Sequence, residues 1–504
     1  MSQHRSVWLA TADQSSHPPL DGDLDVDVVV VGGGITGLTT ALLLQDDGAR
    51  VAVLEADSTG AGTTGYTTGK VTSQHTLTYH QLIEKHGERK AGLYAEANQQ
   101  AVETVASLAE ETSADCQLER TAAYVFTQTA EHRSSLESEH EAAVRLGLPA
   151  TLTAEIDLPF PVELALRFDD QAHFHPGRYT AALVRTLVGR GGQVFEHTRA
   201  TDVDERTDHA IVRTGAGDVR ADHVVLATLL PFVDLGGFFA KARPSRAYGI
   251  AARLRSEAPA GMHINVGSPT RSTRPWIDGD RRGLIVVGEN HPTGHGEATP
   301  GHWGELERWA RDHFDVESFE YRWSAQDYIT ADQVPYIGRS PRMTRTFVAT
   351  GFNKWGLTNG TAAARILADL VAGRDNRWLE AFDATRIGDA ETVKKLVEEN
   401  VHVGKRFVMD RIARLRAESV AHLEPGDGRM VEIDGDAVGT YRGADGTVQA
   451  VSITCTHMGC TLQWNGAETS WDCPCHGSRF AVDGRVLNGP AVRPLEQIDV
   501  DDGG

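Results

Sequence analysis

Asp27-Val28-Val29-Val30-Val31-Gly32-Gly33-Gly34-Ile35-Thr36-Gly37 is the stretch on which the fold turns. The valine run predicts a short strand buried on both faces, and the apolar residues from Leu38 to Leu44 predict a helix behind it. Gly48 stops that helix, and Val51-Ala52-Val53-Leu54-Glu55 predicts a second strand, completing a βαβ unit. Gly32-x-Gly34-x-x-Gly37 is weak evidence on its own. After a strand, before a helix, and trailed by Glu55 at the next strand end, it becomes a dinucleotide fingerprint. Gly32 permits the tight turn, Gly34 lets the backbone approach a pyrophosphate at the helix N-terminus, and Gly37 lets helix and sheet pack closely. Glu55 is placed to accept hydrogen bonds from ribose hydroxyls, and its charge disfavours a 2′-phosphate. The competing reading is a glycine-rich turn with no ligand.

Working outward, 504 residues suggest about three domains. With 40% apolar and 24% charged residues the chain buries a sizeable core. Seventy acidic against 49 basic residues give a net charge of −21, which argues against nucleic acid and anionic membrane as main partners. No apolar run approaches the roughly 18–20 residues of a membrane span. The N-terminus lacks a basic start followed by an apolar stretch, so the expected location is cytoplasmic. Four of the five cysteines fall between Cys455 and Cys475, leaving Cys116 alone, a clustering that signals a metal or redox site.

Residues 1–25 read as a polar N-terminal extension. A largely helical region runs from about Tyr79 to Leu146, interrupted by a strand-like run at Ala122–Phe126. Strand signals return at Gln193–Glu196, at Asp222–Thr228 and at Phe347–Gly351, and a helix signal at Thr358–Val371. Between Ala240 and Asp332 the chain reads as alternating short strands and loops. The charged stretch 376–422 reads as a helical connector, and the last 80 or so residues as short β-runs with Gly-Asp, Asp-Gly and Asn-Gly turns.

The fingerprint, the segment from Gly60 to Lys70, the strand ending Leu226-Ala227-Thr228, and Gly351-Phe352-Asn353-Lys354-Trp355-Gly356 together resemble the D-amino-acid oxidase family of flavoproteins. The resemblance implies an α/β Rossmann-type FAD-binding domain (about 26–78, 170–239 and 335–375) interleaved with an α+β substrate domain (about 79–169 and 240–334). It also implies that Thr63 and Thr64 lie near the phosphates and ribityl chain, and that Ala200 flanks the adenine. Gly351, Asn353, Gly356 and Thr358 would line the flavin, with a helix N-terminus near Thr358 aimed at it. Asp327 to Gly338 resembles the family's approach to the flavin site. Some members attach FAD covalently through a Cys or His. Here Tyr66 stands at the aligned His position and no Cys lies between Cys116 and Cys455, so non-covalent FAD is expected. No Arg and Tyr pair for an amino-acid carboxylate is identifiable.

Cys455-Thr456-His457-Met458-Gly459-Cys460 and Cys473-Pro474-Cys475-His476-Gly477-Ser478 carry the strongest signal. Two Cys and two His also suit tetrahedral zinc, although the spacing differs from that of zinc fingers. The pattern resembles a Rieske iron–sulfur domain, a small all-β unit over about 423–504. Cys455 and Cys473 would then ligate one iron of a 2Fe-2S cluster, and His457 and His476 the other, which raises the potential relative to four thiolates. Similarity to the cytochrome bc subtype implies a disulfide between Cys460 and Cys475, against the alternative of two buried thiols. It also implies a hydrogen bond from Ser478 to the cluster. Phe480 replaces a tyrosine donor common in that subtype, which predicts a lower potential.

His173 and His175 form a His-x-His pair without a third ligand nearby and read as ordinary histidines. Trp276, Trp303, Trp309 and Trp323 read as core rather than cavity lining. Lys70 and Lys354 sit inside flavin-associated motifs and are the catalytic candidates, with solvated surface lysines as the alternative. The combined expectation is an FAD-dependent oxidoreductase that dehydrogenates a small molecule, an amine or amino acid. Electrons pass from flavin to cluster and on to an unidentified acceptor protein. A reductase or monooxygenase component with inward electron flow, and a non-enzymatic redox sensor, are the alternatives.

Overall fold

The computed structural model describes residues 3–13, 16–279, 281–295, 300–386, 423–433 and 436–499. Its first organising element is the strand Leu24–Val31, whose residues Val28 to Val31 are at most 4% exposed because helices cover one face of the sheet and the strands Ala200–Glu205 and Ala210–Thr214, with Leu230 and Phe238, cover the other. This strand pairs in parallel with Val51–Leu54 on one side and Asp218–Leu226 on the other. Gln193–Phe195 and Thr346–Thr350 extend the parallel sheet outward, and Tyr336–Arg339 adds antiparallel at the edge. The helix Ile35–Asp46 is apolar nearly all round, since it is sandwiched between the sheet and the helices Pro176–Gly189 and Gly356–Val371. Gly32 has φ +112°, and a Cβ on Gly37 would overlap the Gly32 carbonyl oxygen, so the turn and the close packing read from the sequence are both present.

A second sheet, ten-stranded among the described residues, runs beside the first and carries the substrate side. Its centre is the antiparallel set Ala242–Leu254, Arg281–Pro292 and Val316–Thr330. The helix Gly301–His313 covers one face through Trp303, Leu306 and Ala310. That helix is absent from the sequence reading, which took the whole region as strands and loops. The N-terminal extension also needs correction. Gln3–His4 pairs in parallel with Tyr321 and Arg322, and the short helix Val7–Thr11 buries Val7 and Trp8 to 1% exposure. Trp8 donates through Nε1 to the Thr67 carbonyl at 2.7 Å and lies under the Arg274 guanidinium.

The strand Leu164–His173 and the short Lys70–Val71 belong to the second sheet, and the long helix Tyr79–Glu111 packs on Gly356–Val371 of the FAD-binding side. Residues 376–386 are not connector: Trp378 and Phe382 are buried in the core of the first module, and Asp383 bridges to Ile337. The remainder of the expected connector, 387–422, lies outside the described residues. The C-terminal unit is all-β, with one sheet from Gly428–Ile433, Asp436–Arg442 and Val448–Ser452. The other comprises Gln463–Asn465, Ser470–Asp472, Arg479–Phe480 and Val486–Asn488, around buried Trp471 and Phe480.

Candidate functional site

A cavity of about 680 Å³ opens at the C-terminal ends of the parallel strands, where ligands bind in doubly wound sheets. At one end it is lined by Gly32, Gly34, Glu55, Thr63, Thr64 and Ala200. Glu55 accepts from Gly33 N at 2.7 Å and Asp57 N at 2.9 Å, and burial pushes its carboxyl up. No side chain of Gly34 caps the helix Ile35–Asp46, and Thr64 Oγ1 accepts from Ile35 N at 3.1 Å. Backbone N–H groups of that first turn therefore face the cavity at the positive helix end, which suits an anionic pyrophosphate.

At the other end Asn353, Lys354, Trp355 and Gly356 line the cavity, together with Asp327. Asn353 and Lys354 have φ of +54° and +70°, a conformation that costs energy for residues with a Cβ. Two contacts hold it: Asn353 Oδ1 accepts from Thr330 N at 2.8 Å, and Asp327 Oδ2 accepts from Lys354 N at 2.6 Å. Desolvation raises Asp327 to about 6. The helix begins at Gly356 rather than at Thr358, with no side-chain cap, so its open N-terminus faces the cavity. Gly351 and Thr358 are not among the lining residues. A Cβ on Gly351 would overlap the Thr330 methyl, and Thr358 is buried with its hydroxyl on the Thr72 carbonyl and on His75. Gly37 likewise serves packing rather than the cavity.

Lys70 and Lys354 both line the cavity, Lys70 buried and Lys354 exposed. Lys70 is buried, donates to the His263 carbonyl at 2.8 Å and Ser272 Oγ at 2.7 Å, and desolvation pushes its amine well down. Lys354 Nζ donates to Asn290 Oδ1 at 2.5 Å at the cavity wall, and desolvation by the surrounding atoms lowers it to about 8. The only arginines among the described residues lining the cavity are Arg199 and Arg479. Trp276, Trp303 and Trp323 are buried core residues, Trp309 packs against the same core as Trp303, and Trp323 also lines the cavity. His173 is buried in its strand, while His175 caps the helix Pro176–Gly189 by accepting from Arg178 N at 3.2 Å. Among the described residues, neither belongs to a cluster of three or more candidate metal ligands.

The two Cys–His loops converge in the C-terminal unit. Cys460 and Cys475 form a disulfide, which leaves Cys455 and Cys473 as buried thiols. The His457 and His476 rings stand 5.0 Å apart at 90°, and Nδ1 of each is buried without a hydrogen-bond partner. Two buried thiols and two orphaned imidazole nitrogens are the donor set of a 2Fe-2S cluster with one Cys₂ and one His₂ iron. The Cys473 thiol and the Ser478 hydroxyl favour the Cys455 thiolate.

The sequence did not foretell how the two units meet. The cluster loop rests on the back of the strand Val316–Thr330. Gln326 Nε2 donates to the Gly477 carbonyl at 2.8 Å and Tyr328 Oη to the His476 carbonyl at 2.7 Å. The Phe239 ring meets the His476 ring edge-on at 5.1 Å. Buried Arg246 lies 3.7 Å from Asp472 and bonds Ser324 Oγ. A Cβ on Gly294 would come within 2.7 Å of Pro474 Cα, so the approach is close. Side chains alternate along a strand, so that Asp327 faces the cavity and Tyr328 the cluster loop, while Gln326 lines the cavity and also reaches the cluster loop.

A flavin-type cavity and a Cys₂His₂ centre on one chain define a two-cofactor redox protein. The chain belongs to the FAD dependent oxidoreductase family, whose model matches residues 27–370, and residues 414–499 match the Rieske [2Fe-2S] domain. FAD and a 2Fe-2S cluster are its cofactors. It is 36% identical over 498 residues to "Putative Rieske 2Fe-2S iron-sulfur protein YhfW" of Bacillus subtilis (strain 168), covering 98% of each chain. It is also 24% identical over 409 residues to gamma-glutamylputrescine oxidoreductase of Escherichia coli (strain K12), covering 76% of this chain and 92% of that one. The structure of glycine oxidase from Geobacillus kaustophilus superposes with a TM-score of 0.62 at 21% identity, covering 73% of this chain and all of that one, a likeness of fold. Among the described residues no helix is long and apolar enough to cross a membrane.

Proposed function

We propose that this chain dehydrogenates a C–N bond of an amine or amino acid and passes the electrons through its cluster to an external one-electron acceptor. The observation that carries the reading is the single strand between the two sites, with Asp327 on the cavity, Tyr328 on the cluster loop, and Gln326 in contact with both. An oxidase discharges to oxygen and has no use for a one-electron carrier one strand away. Similarity to a protein named gamma-glutamylputrescine oxidoreductase favours a nitrogen-bearing substrate.

Bound FAD supplies two-electron chemistry and the cluster a one-electron relay. The residues of the chain prepare the substrate. An ammonium nitrogen must lose a proton before its carbon gives up hydride, and Lys354, held at about 8, takes that proton at Nζ. Lys70, kept from charging by burial, regains its charge beside a substrate carboxylate. Asp327 fixes the backbone that presents Lys354.

The test is anaerobic mixing with a panel of amines and amino acids while the flavin absorbance is followed. A substrate should bleach the flavin equally in the parent and in a Cys455→Ser/Cys473→Ser variant, whereas turnover with a one-electron acceptor should slow in the variant. Equal turnover would remove the cluster from the electron path, and a cluster potential below that of the flavin would reverse the direction of flow.

A further inference from the structure

The cavity wall contains residues from both units. At the Glu55 end, where the adenosine half of a dinucleotide belongs, the wall opposite Glu55 and Arg199 is the segment Leu487 to Val492 of the C-terminal domain. Arg199 Nη2 donates to the Val486 carbonyl at 3.1 Å, which fixes this segment beside the residue that follows Thr198, itself bonded to the Glu55 carbonyl. Further along, Arg479 and Glu468 of the same domain face Tyr66 and Thr63 across the groove. The covering segment is tied back to the metal centre, since Ala491 N donates to Ser478 Oγ at 3.0 Å and Arg479 Nη1 to Asn488 Oδ1 at 3.2 Å.

We propose that the Rieske domain is the outer wall of the FAD site, so that FAD is held between two domains and can leave only when the Rieske domain lifts away. The wall is uncharged from Leu487 to Val492, a stretch against which an adenosine can pack, and the lining arginines Arg199 and Arg479 offset the lining carboxylates Asp57 and Glu468. The linkage is reciprocal: whatever free energy docking adds to FAD binding, FAD adds to docking. This inference depends neither on the substrate nor on the direction of electron flow, because it is read in the resting protein without either.

Two measurements on the full chain test it. The first is the rate of flavin release, read as free-flavin fluorescence after dilution, in the parent and in a Phe239→Ala/Gly294→Ala variant. Both substitutions disturb the docked face without touching the cavity: Phe239 meets the His476 ring, and an alanine methyl at 294 would press on Pro474. Release should accelerate tenfold or more. A rate within twofold of the parent, in a variant whose 473–478 amides have lost protection, overturns the proposal. The second needs no variant. Amide hydrogen exchange over 486–492 should be at least fivefold slower in the FAD-loaded than in the flavin-stripped parent, and equal exchange overturns the proposal.

Discussion

Lys354 illustrates how a single side chain is set for its task. Its backbone is forced into the left-handed region, its N–H is held by Asp327, and its side chain lines the cavity. Desolvation lowers the amine to about 8, so below that pH it carries the proton that it must be free to accept. The rate of substrate-driven flavin bleaching should therefore rise with pH and level off above about 8. In Lys354→Met that limb should vanish and the plateau fall by roughly 10²–10⁴-fold, the usual worth of a positioned base. A stopped-flow pH profile of the two proteins decides it. The sequence located Lys354 inside its motif but could not tell cavity from surface, because that depends on Asn290 and Asp327 arriving from other strands. The four residues proposed as cluster ligands could be nominated for the opposite reason: all sit in two hexapeptides, so local spacing singles them out.

At the scale of elements, the βαβ unit was readable because a valine run, three glycines and an acidic strand end lie within one stretch of chain. The helix Gly301–His313 was not, since Gly301, Gly304 and its tryptophans and histidines are weak helix formers and its amphipathic face is defined by the sheet beneath. The first dozen residues were misread for a related reason: a five-residue helix leaves no periodic pattern, and its anchor, Trp8, is recognised only in its tertiary socket. That socket joins Thr67, His175 and the buried Arg274, whose guanidinium burial lowers to about 9. Trp8→Ala should cost about 3–5 kcal/mol, the range for truncating a buried tryptophan, measured as a drop in the denaturation midpoint. A loss below about 1 kcal/mol would mean that the N-terminal segment is a dispensable cover.

For the whole molecule, the meeting of the two units was invisible to sequence reading because it is assembled from single residues on separate elements: Phe239, Arg246, Gly294, Gln326 and Tyr328. Only the fold brings them together. The same assembly bears on how the flavin is held. Among the described residues lining the cavity none is a Cys or His, and Tyr66 occupies the position where a family histidine would form a bond. Acid precipitation should therefore leave the flavin in the supernatant and a colourless pellet. Flavin retained on the pellet would reveal a covalent link.

The strand Val316–Thr330 keeps an unbroken register with Ala242–Leu254 from Tyr321 to Thr330, and its alternating side chains place Asp327 on the cavity and Tyr328 on the cluster loop. It therefore behaves like a reading frame. Removing one residue between Trp323 and Asp327 would exchange the two sets, turning Tyr328 to the flavin and Asp327 to the cluster loop. Removing two would shorten the strand yet keep each set on its own side. A deletion scan should accordingly show a parity effect, in which single-residue deletions lose both chromophores together and two-residue deletions retain at least one. A scan with no odd–even difference would mean that the strand is held by its neighbours regardless of phase. Length changes in this segment across related proteins should then come in even steps, a constraint on its evolution imposed by the pleat of one strand.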